Sequence, residues 1–435
     1  MGLRRTDRTS VAGSRGGHVS VSNQNEQAIG PLTQERPLLE LWHNVNFRRY
    51  YFAQLFYAGV YGAMRFLFPW LIVTLTDWSS AEGLVLMAFG VPALLVSLPA
   101  GAISDRVDRR TLYVTWTVVS GAIIISFGLW VWLGSVTPRW AGLVALLLGS
   151  TMSWVAPTIN AVIPDLVGPK RLMNAAALQN GGGQAAQFLA LVLVGVIVDR
   201  LGVGQAFVVA GCASVGAGVL MLRVSIPSNP RSKSLTEGLW GDVKLGARYG
   251  FGTEPIRSLL VSAMILGASF SVMQTTMPRV VDEVYGRDGG DAALLVGVFG
   301  VGMLLSSSVV AGRRNMRHGP ILAVMIGVGL GLGQLLLSLM TNYWAAVAVM
   351  LGWGVGAGVA MASHRTLLQG NTEPAMMGRV MGLMMLGFAG GLPIGAAVSA
   401  TLTRFVDGQT AMTIVGAVTI CLTLPLMGRR SIRTL

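Results

Sequence analysis

The 435-residue sequence has few charged residues, and most of those are basic. Asp, Glu, Lys and Arg make up 12% of the chain, about half the fraction usual in soluble domains, whereas hydrophobic residues make up 53%. Apolar runs of about 20 residues recur along the sequence, and this is the length that a helix needs to cross a bilayer. The composition therefore excludes an ordinary soluble domain and predicts an all-α polytopic membrane protein.

Cysteine is scarce, and the common nucleotide- and metal-binding patterns are missing. Cys212 and Cys421 each lie within an apolar run, so no disulfide framework is predicted. The pattern G-x-x-x-x-G-K-[ST] does not occur, which excludes ATP hydrolysis by a P-loop in this chain. The four histidines have no cysteine cluster beside them. We therefore expect neither an enzyme nor a metal or cofactor site.

Apolar runs, read against their polar interruptions, predict twelve transmembrane spans. Predicted spans 4, 5 and 10 carry Asn, Gln or Ser and are less uniformly apolar than the others. The longest internal polar stretch, residues 225–254, has six spans on each side and is typical of a linker. The predicted spans are 51–75, 82–103, 112–134, 140–163, 174–198, 203–224, 257–280, 292–312, 320–340, 343–364, 377–402 and 409–427.

The distribution of basic residues predicts the orientation of these spans. If the N-terminal tail is cytoplasmic, 26 of the 32 Lys and Arg residues lie on the cytoplasmic side and five lie in the outer loops. Because cytoplasmic loops are enriched in Lys and Arg, both termini are predicted to be cytoplasmic, in a protein of the cytoplasmic membrane. The same enrichment explains the net charge of +13 without a nucleic-acid partner.

The predicted organisation is two six-helix halves with a polar segment before each. A disordered cytoplasmic tail (1–47) precedes the first half (48–224), and a cytoplasmic linker (225–256) precedes the second half and its short tail (257–435). The halves resemble each other at an offset of about 207 residues, where DRVDRR after span 2 corresponds to GRRNMRHG after span 8. Two parallel halves related by an axis along the membrane normal are a recurrent design of secondary transporters.

The loop between spans 2 and 3 reads GAISDRVDRR, residues 101–110. It resembles the signature G-x-x-x-D-R-x-G-R-R of the major facilitator superfamily, with Asp108 in the usual glycine position. Together with PDLVGPKRLMNAAALQN (164–180) and LLQGNTEPAMMGRVMGL (367–383), it is similar to the branch that contains the enterobactin exporter and drug-efflux proteins. The resemblance covers residues from about 45 to 428 and implies a twelve-helix transporter of a small molecule. We expect it to work as a monomer in the lipid bilayer.

The signature loop predicts a conformational latch. Gly101 would permit close approach of spans 2 and 11, and Asp105 would lie at the positive N-terminal end of span 11. The neighbouring arginines would neutralise that carboxylate and hold the loop at the lipid headgroups, although a simple topology anchor is the alternative role. As the resemblance implies, the latch favours the outward-facing state and breaks in the inward-facing one. The latch residues are Gly101, Asp105, Arg106, Arg109, Arg110, Gly378 and Arg379.

Arg65 is the only charged residue near the centre of any predicted span. It shares one helix face with Tyr57 and Tyr61, and that face should point inward because a charge facing lipid costs roughly 3 to 10 kcal/mol. No acidic residue lies at its depth, so either an anionic ligand or structural hydrogen bonds would hold its guanidinium group. The resemblance implies a central cavity, for which the remaining candidates, with packing as their alternative role, are Trp154, Gln184, Gln187, Phe270, Gln274 and Trp353.

The sequence leaves three functions open. The first is proton-coupled export of small amphipathic molecules, such as drugs or siderophore-like compounds, with Glu82 and Asp105 as the acidic residues to test. The second is uptake or facilitated diffusion of an organic anion that pairs with Arg65, and the third is a membrane sensor or assembly protein that transports nothing. The span 5 segment QFLALVLVGVIVD departs from the G-P-x-x-G-G element of many proton-exchanging exporters. The residues therefore support transport in general more directly than exchange of a substrate for protons.

Overall fold

The computed structural model describes residues 41–76, 80–104, 107–168, 171–226, 239–254, 256–311, 329, 331–373 and 376–427. Within these ranges every regular element is a helix. The helices are α1 (Val45–Leu75), α2 (Ala81–Ser104), α3 (Arg109–Trp132), α4 (Pro138–Met152), α5 (Val155–Val167), α6 (Leu172–Leu201), α7 (Val203–Leu222), α8 (Leu239–Gly252), α9 (Ile256–Tyr285), α10 (Gly289–Ala311), α11 (Gly331–Ser338), α12 (Tyr343–Gly370), α13 (Met377–Leu402) and α14 (Gly408–Met427).

Ten segments of the described chain are long and apolar enough to cross a membrane. One of them combines α4 and α5, and α2 adds a shorter apolar stretch, Ala81–Pro92. The first part of predicted span 9 (320–340) lies outside the described residues except for residue 329, and α11 covers most of its second part. The predicted all-α membrane fold is confirmed, whereas the count of twelve spans stays a prediction.

Predicted span 4 is broken into two helices, α4 and α5. The break follows from Pro157, which has no N–H to donate to the carbonyl of Ser153 and whose ring crowds that carbonyl. At the break, Ser153 Oγ donates to Gly149 O (2.5 Å), and Trp154 N donates to Thr151 O (3.3 Å) in a tighter turn. The break leaves the last carbonyls of α4 without helical partners and therefore open to other donors.

The helices pack in a pattern that occurs twice. In the first half α1 packs on α6, α2 on α4 and α3 on α7; in the second half α9 packs on α13, α10 on α12 and α11 on α14. The two halves meet mainly along two seams, α2 with α13 and α6 with α10, and α9 makes smaller contacts with α1 and α2. This repetition agrees with the internal repeat in the sequence. The predicted domain boundaries stay a prediction, and α8 lies within the predicted linker (225–256).

The bundle has two ends, which we name the tail side and the far side. The tail side is the end at which α1 begins; there Asn44 caps α1 and donates to Leu166 O near the end of α5 (3.4 Å). The far side is the end at which α1 stops. Exposed Trp132, Trp344 and Phe405 lie at helix ends on the far side, where aromatic rings are typical of a membrane interface. That the tail side is cytoplasmic stays a prediction.

Glycines allow several helix backbones to approach closely. Gly121 of α3 faces Gly211 of α7, and a Cβ added to either residue would lie 2.9 Å from the carbonyl oxygen of the other. Lipid tails are as apolar as the helices, so close backbone packing of this kind, rather than hydrophobic burial, stabilises helix association in a membrane. The α3–α7 crossing therefore depends on both glycines.

Gly211→Ala should destabilise the protein, because its new Cβ would meet the α3 backbone and lie 2.6 Å from Ile125 Cγ1. Overpacking of this kind costs about 1 to 3 kcal/mol. Gly216→Ala is the matched control, since Gly216 lies on the same helix with no atom within 4 Å of the added Cβ. Thermal unfolding of the detergent-purified variants measures the difference. Equal melting temperatures for the two variants would contradict this packing.

Candidate functional site

Two cavities lie between the halves, and Arg65 of α1 lines both of them. The first has a volume of about 270 Å³ and the second about 140 Å³. The first is bounded by α1, α9, α12 and α13, and the second by α1, α6, α9, α10, α12 and α13. Each cavity is therefore lined by helices from both halves.

The first cavity is basic at one place and apolar elsewhere. Its polar lining consists of Tyr61, Arg65, His364 and Arg365. Its apolar lining is dominated by long, flexible side chains and includes Met361, Met384, Met385 and Phe388. The second cavity is lined mainly by aromatic rings and amides, which include Gln184, Gln187, Phe188, Phe270, Gln274 and Phe299.

The guanidinium group of Arg65 contacts aromatic rings. Its Cζ atom lies 5.9 Å from the ring centroid of Tyr61 and 5.6 Å from that of Phe270, distances at which a cation is attracted to a ring face. Within the part of the chain that the structure describes, no carboxylate forms an ion pair with Arg65. The expected inward-facing arginine is thus in place, and its charge is not neutralised by a described neighbour.

Arg365 is a second cation of the first cavity, and sequence reasoning missed it. Predicted span 10 ended at residue 364 and left Arg365 in a loop, but α12 continues to Gly370. The helix stops at Asn371, whose side chain and backbone both donate to Leu367 O. The Gly370–Asn371 pair is a helix stop signal that could have found this boundary. The predicted end of span 10 is therefore wrong, and α12 carries Arg365, five residues before its last residue, to the same cavity as Arg65.

Buried polar groups next to Arg365 also lack ordinary partners. Arg365 Nε is buried and makes no hydrogen bond within the described residues. His364 is 1% exposed, and its ring nitrogens make no hydrogen bond of normal geometry there, although the backbone of Leu259 lies close to it. Buried donors without acceptors are costly, so this wall of the cavity is suited to an acceptor from outside the chain.

Five of the predicted cavity residues accompany Arg65 in lining a cavity. Tyr61 lines the first, while Gln184, Gln187, Phe270 and Gln274 line the second. The two α6 amides are hydrogen-bonded to each other, with Gln187 Nε2 donating to Gln184 Oε1 (3.2 Å). The second cavity therefore combines aromatic faces with amide donors and acceptors.

The other three candidates pack between helices and line neither of these cavities. Tyr57 is buried, and its hydroxyl donates to Met152 O (2.8 Å), one of the carbonyls exposed by the break after α4. Trp154 stacks on Trp116 with 5.2 Å between ring centroids, and Trp353 packs edge-on against an aromatic ring of α10. We therefore leave Tyr57, Trp154 and Trp353 out of the site proposed below.

The signature loop lies partly outside the described residues. Asp105 and Arg106 are not described, nor are the surroundings of Gly101 and Gly378, so the latch stays a prediction. Arg379 Nη1 lies 3.5 Å from Met376 Sδ.

The described arginines of the loop contact groups in the first half. Arg109 forms an ion pair with Asp165 near the end of α5, and Arg110 donates to Leu222 O at the end of α7. Asp108 caps α3 by accepting from Thr111 N (2.9 Å) and Thr111 Oγ1 (2.7 Å), and the pKa of its carboxyl is held below its usual range by these hydrogen bonds. These contacts tie the start of α3 to the helix ends beside it.

A buried ion pair joins the halves on the far side. Arg279 of α9 donates to Glu82 Oε1 of α2 through Nε (2.8 Å) and Nη2 (2.5 Å), and the two residues are 7% and 1% exposed. Arg279 also contacts the half-exposed Glu283 one turn further along α9 (3.0 Å). At the α6–α10 seam, Asp199 Oδ1 accepts from Gly290 N (2.6 Å), so polar contacts join the halves at two places on this side.

A family model and one relative identify the type of protein. The model of the Major Facilitator Superfamily matches residues 50–396 and 259–431. An uncharacterized MFS-type transporter, y4rN of Sinorhizobium fredii (strain NBRC 101917 / NGR234), is 27% identical over 332 residues, which cover 71% of this chain and 76% of the relative.

Solved transporter structures share the fold at low sequence identity. The nucleoside transporter NupG is 15% identical with a TM-score of 0.71, over 87% of this chain and 98% of its own. A bacterial homolog of the human lysosomal transporter Spinster, inward-facing and occupied, is 13% identical with a TM-score of 0.66, over 87% and 95%. A POT family transporter in complex with a thioalcohol-conjugated peptide has the same identity, TM-score and coverage. Because the family model covers most of the chain, this protein is a membrane transporter that belongs to the Major Facilitator Superfamily.

Proposed function

We propose that this transporter exports small amphipathic molecules across the cytoplasmic membrane by alternating access. The observation that carries the proposal is the pair of cavities at Arg65, which lie between the halves and are enclosed by helices of both. The lining suits an amphipathic cargo, because methionine and phenylalanine side chains accept an apolar body while three glutamines and two arginines offer polar contacts. Export of a drug or a siderophore-like compound is the substrate class that the resemblance to the efflux branch favours.

Alternating access requires that the far-side contacts break and re-form. The halves touch mainly at the seam between α2 and α13 and the seam between α6 and α10, so a rocking motion would separate them there. In the conformation of this structure, the Glu82–Arg279 pair holds the far side closed. We propose that it opens when the predicted tail-side latch forms.

Glu82 also supplies a route to proton coupling. A proton on Glu82 would remove the negative charge that holds Arg279 to α2 and leave that arginine only Glu283 on its own helix. A buried ion pair that loses one charged partner is destabilised strongly, so protonation would favour opening of the far side. Coupling through Asp105 is the second possibility, and that residue lies outside the described part of the chain.

Uptake or facilitated diffusion of an organic anion is the second candidate function. It is favoured by Arg65, which has no carboxylate partner among the described residues. Direction of transport separates the two candidates, and both use the same cavities. A sensor or assembly protein would instead show no substrate flux under any gradient.

Inverted membrane vesicles test export and its drive. We expect a pH gradient, acid inside, to drive accumulation of an amphipathic fluorescent compound, for which anthracene-2-sulfonate and the uncharged anthracene-2-sulfonamide form a matched pair. Glu82→Gln should abolish gradient-driven accumulation but retain exchange of compound across the membrane, whereas Glu283→Gln should behave like the native protein. Accumulation that ignores a protonophore would contradict proton coupling, and uptake only in right-side-out vesicles would favour the second candidate.

The far-side seal can be followed by distances between spin labels. Leu133 after α3 and Phe405 after α13 are 78% and 81% exposed and belong to different halves, and labels there require Cys212→Ser and Cys421→Ser. Glu82→Gln should lengthen the distance, because loss of one partner of a buried ion pair costs about 3 to 5 kcal/mol. Glu283→Gln is the control, since its half-exposed pair contributes about 0 to 1 kcal/mol. Identical distance distributions in the native protein and Glu82→Gln would contradict the seal.

A further inference from the structure

Arg65 and Arg365 bring two positive charges to one cavity from different halves. Arg65 belongs to α1 and Arg365 to α12, and both line the first cavity, whose volume is about 270 Å³. A ligand that fills so small a cavity would therefore contact both residues. Two like charges that share a cavity also repel each other, so the site is least stable when it is empty.

Several arginines of the described chain pair with carboxylates, and the two arginines of this cavity differ from them. Arg279 pairs with Glu82, Arg109 with Asp165 and Arg287 with Asp291. Within the described residues, Arg65 and Arg365 form no ion pair and no hydrogen bond. An arginine in a membrane bundle without a resident partner is expensive and marks a substrate pathway. The missing negative charge is thus expected from a ligand.

We propose, resting on the function proposed above, that the cargo is an amphipathic organic oxyanion whose anionic head binds between Arg65 and Arg365. Carboxylate, sulfonate and phosphate groups share the required chemistry, because each presents oxygen atoms that match the planar fork of donors on a guanidinium group. The buried Arg365 Nε, which lacks an acceptor in the described structure, gives this head a further donor. The head therefore replaces the counter-charge that the chain itself does not provide.

The rest of the cargo is an uncharged body that extends from the head. Met361, Met384 and Met385 line the first cavity, and methionine side chains adapt to apolar groups of different shapes. Beyond Arg65, the second cavity adds the amides of Gln184 and Gln187, which can both donate and accept hydrogen bonds. A substrate with one oxyanion, an apolar or aromatic body and a few uncharged polar groups would match the arginines, the methionine lining and the glutamine amides in turn.

Binding of this head would also connect the halves. Each guanidinium group comes from a different half, so the oxyanion reduces the repulsion between them and contacts both. An uncharged analogue would leave the two cations facing each other. The site would thus distinguish an oxyanion from an uncharged analogue of similar size by charge.

Ligand-induced thermal stabilisation of the purified full-length protein tests the proposal. We expect anthracene-2-sulfonate to raise the melting temperature and anthracene-2-sulfonamide not to do so. Arg65→Gln and Arg365→Gln should each weaken sulfonate binding at least about tenfold, as expected for loss of hydrogen bonds to a charged group. Arg139→Gln is the control, because Arg139 is exposed at the start of α4, and it should bind like the native protein.

Two further readouts separate a binding role from a structural one. Without ligand, each glutamine variant should melt at the same temperature as the native protein or higher, because it loses an uncompensated cation; a purely structural arginine would give a lower value. Arg65→Lys and Arg365→Lys should restore part of the sulfonate affinity. Equal binding of sulfonate and sulfonamide, unchanged affinity in both glutamine variants, or no sulfonate binding at millimolar concentration would each overturn the proposal.

The transport assay keeps this inference distinct from the proposed function. Sulfonate binding that depends on both arginines, without flux in vesicles, would refute transport by this route and leave the anion site standing. Flux of both compounds that is insensitive to Arg65→Gln and Arg365→Gln would support a transporter of amphipathic molecules and refute the anion site.

Discussion

A positive charge within a membrane-spanning bundle needs a counter-charge, and the structure meets this constraint in two different ways. Arg279 has a resident partner, Glu82, on a helix of the other half, and the pair joins the halves on the far side. Arg65 and Arg365 have no such partner among the described residues and face a shared cavity. The first arrangement is a contact between halves, and the second is the place where a cargo can complete the electrostatics.

The packing of the helices explains how these two features can be coupled. Within each half, glycine-mediated crossings such as Gly121–Gly211 bring helix backbones together, and this close packing stabilises the half. Between halves the contacts are most extensive at two seams, with smaller contacts of α9 against α1 and α2, so we expect relative motion of the halves to change these places most. The cavity lies between these same halves, so we expect a change at either seam to alter access to Arg65.

Periodicity and charge predict much of this arrangement, and tertiary contacts decide the rest. Helical spacing places Arg65 and Tyr61 on one inward face, and both line the first cavity. Tyr57 lies on the same face, but its hydroxyl donates to Met152 O, a carbonyl exposed by the break after α4. That break depends on a proline about 100 residues away in the sequence, which helical spacing in α1 does not reveal. Arg365 lies beyond the predicted end of span 10, because a charge favours a span boundary in the sequence, although the helix continues to Gly370. Glu82 and Arg279 are 197 residues apart, and no local pattern could pair them.

The central claim is that Arg65 and Arg365 hold one anionic group together. A double-mutant cycle on the dissociation constant of anthracene-2-sulfonate, with Arg65→Gln, Arg365→Gln and the combined variant, measures this directly. The account predicts that the combined variant loses clearly less binding free energy than the sum of the single losses, because the second substitution removes a contact that the first has already weakened. Losses that add to within about 0.5 kcal/mol would show that the arginines act independently and would contradict the account.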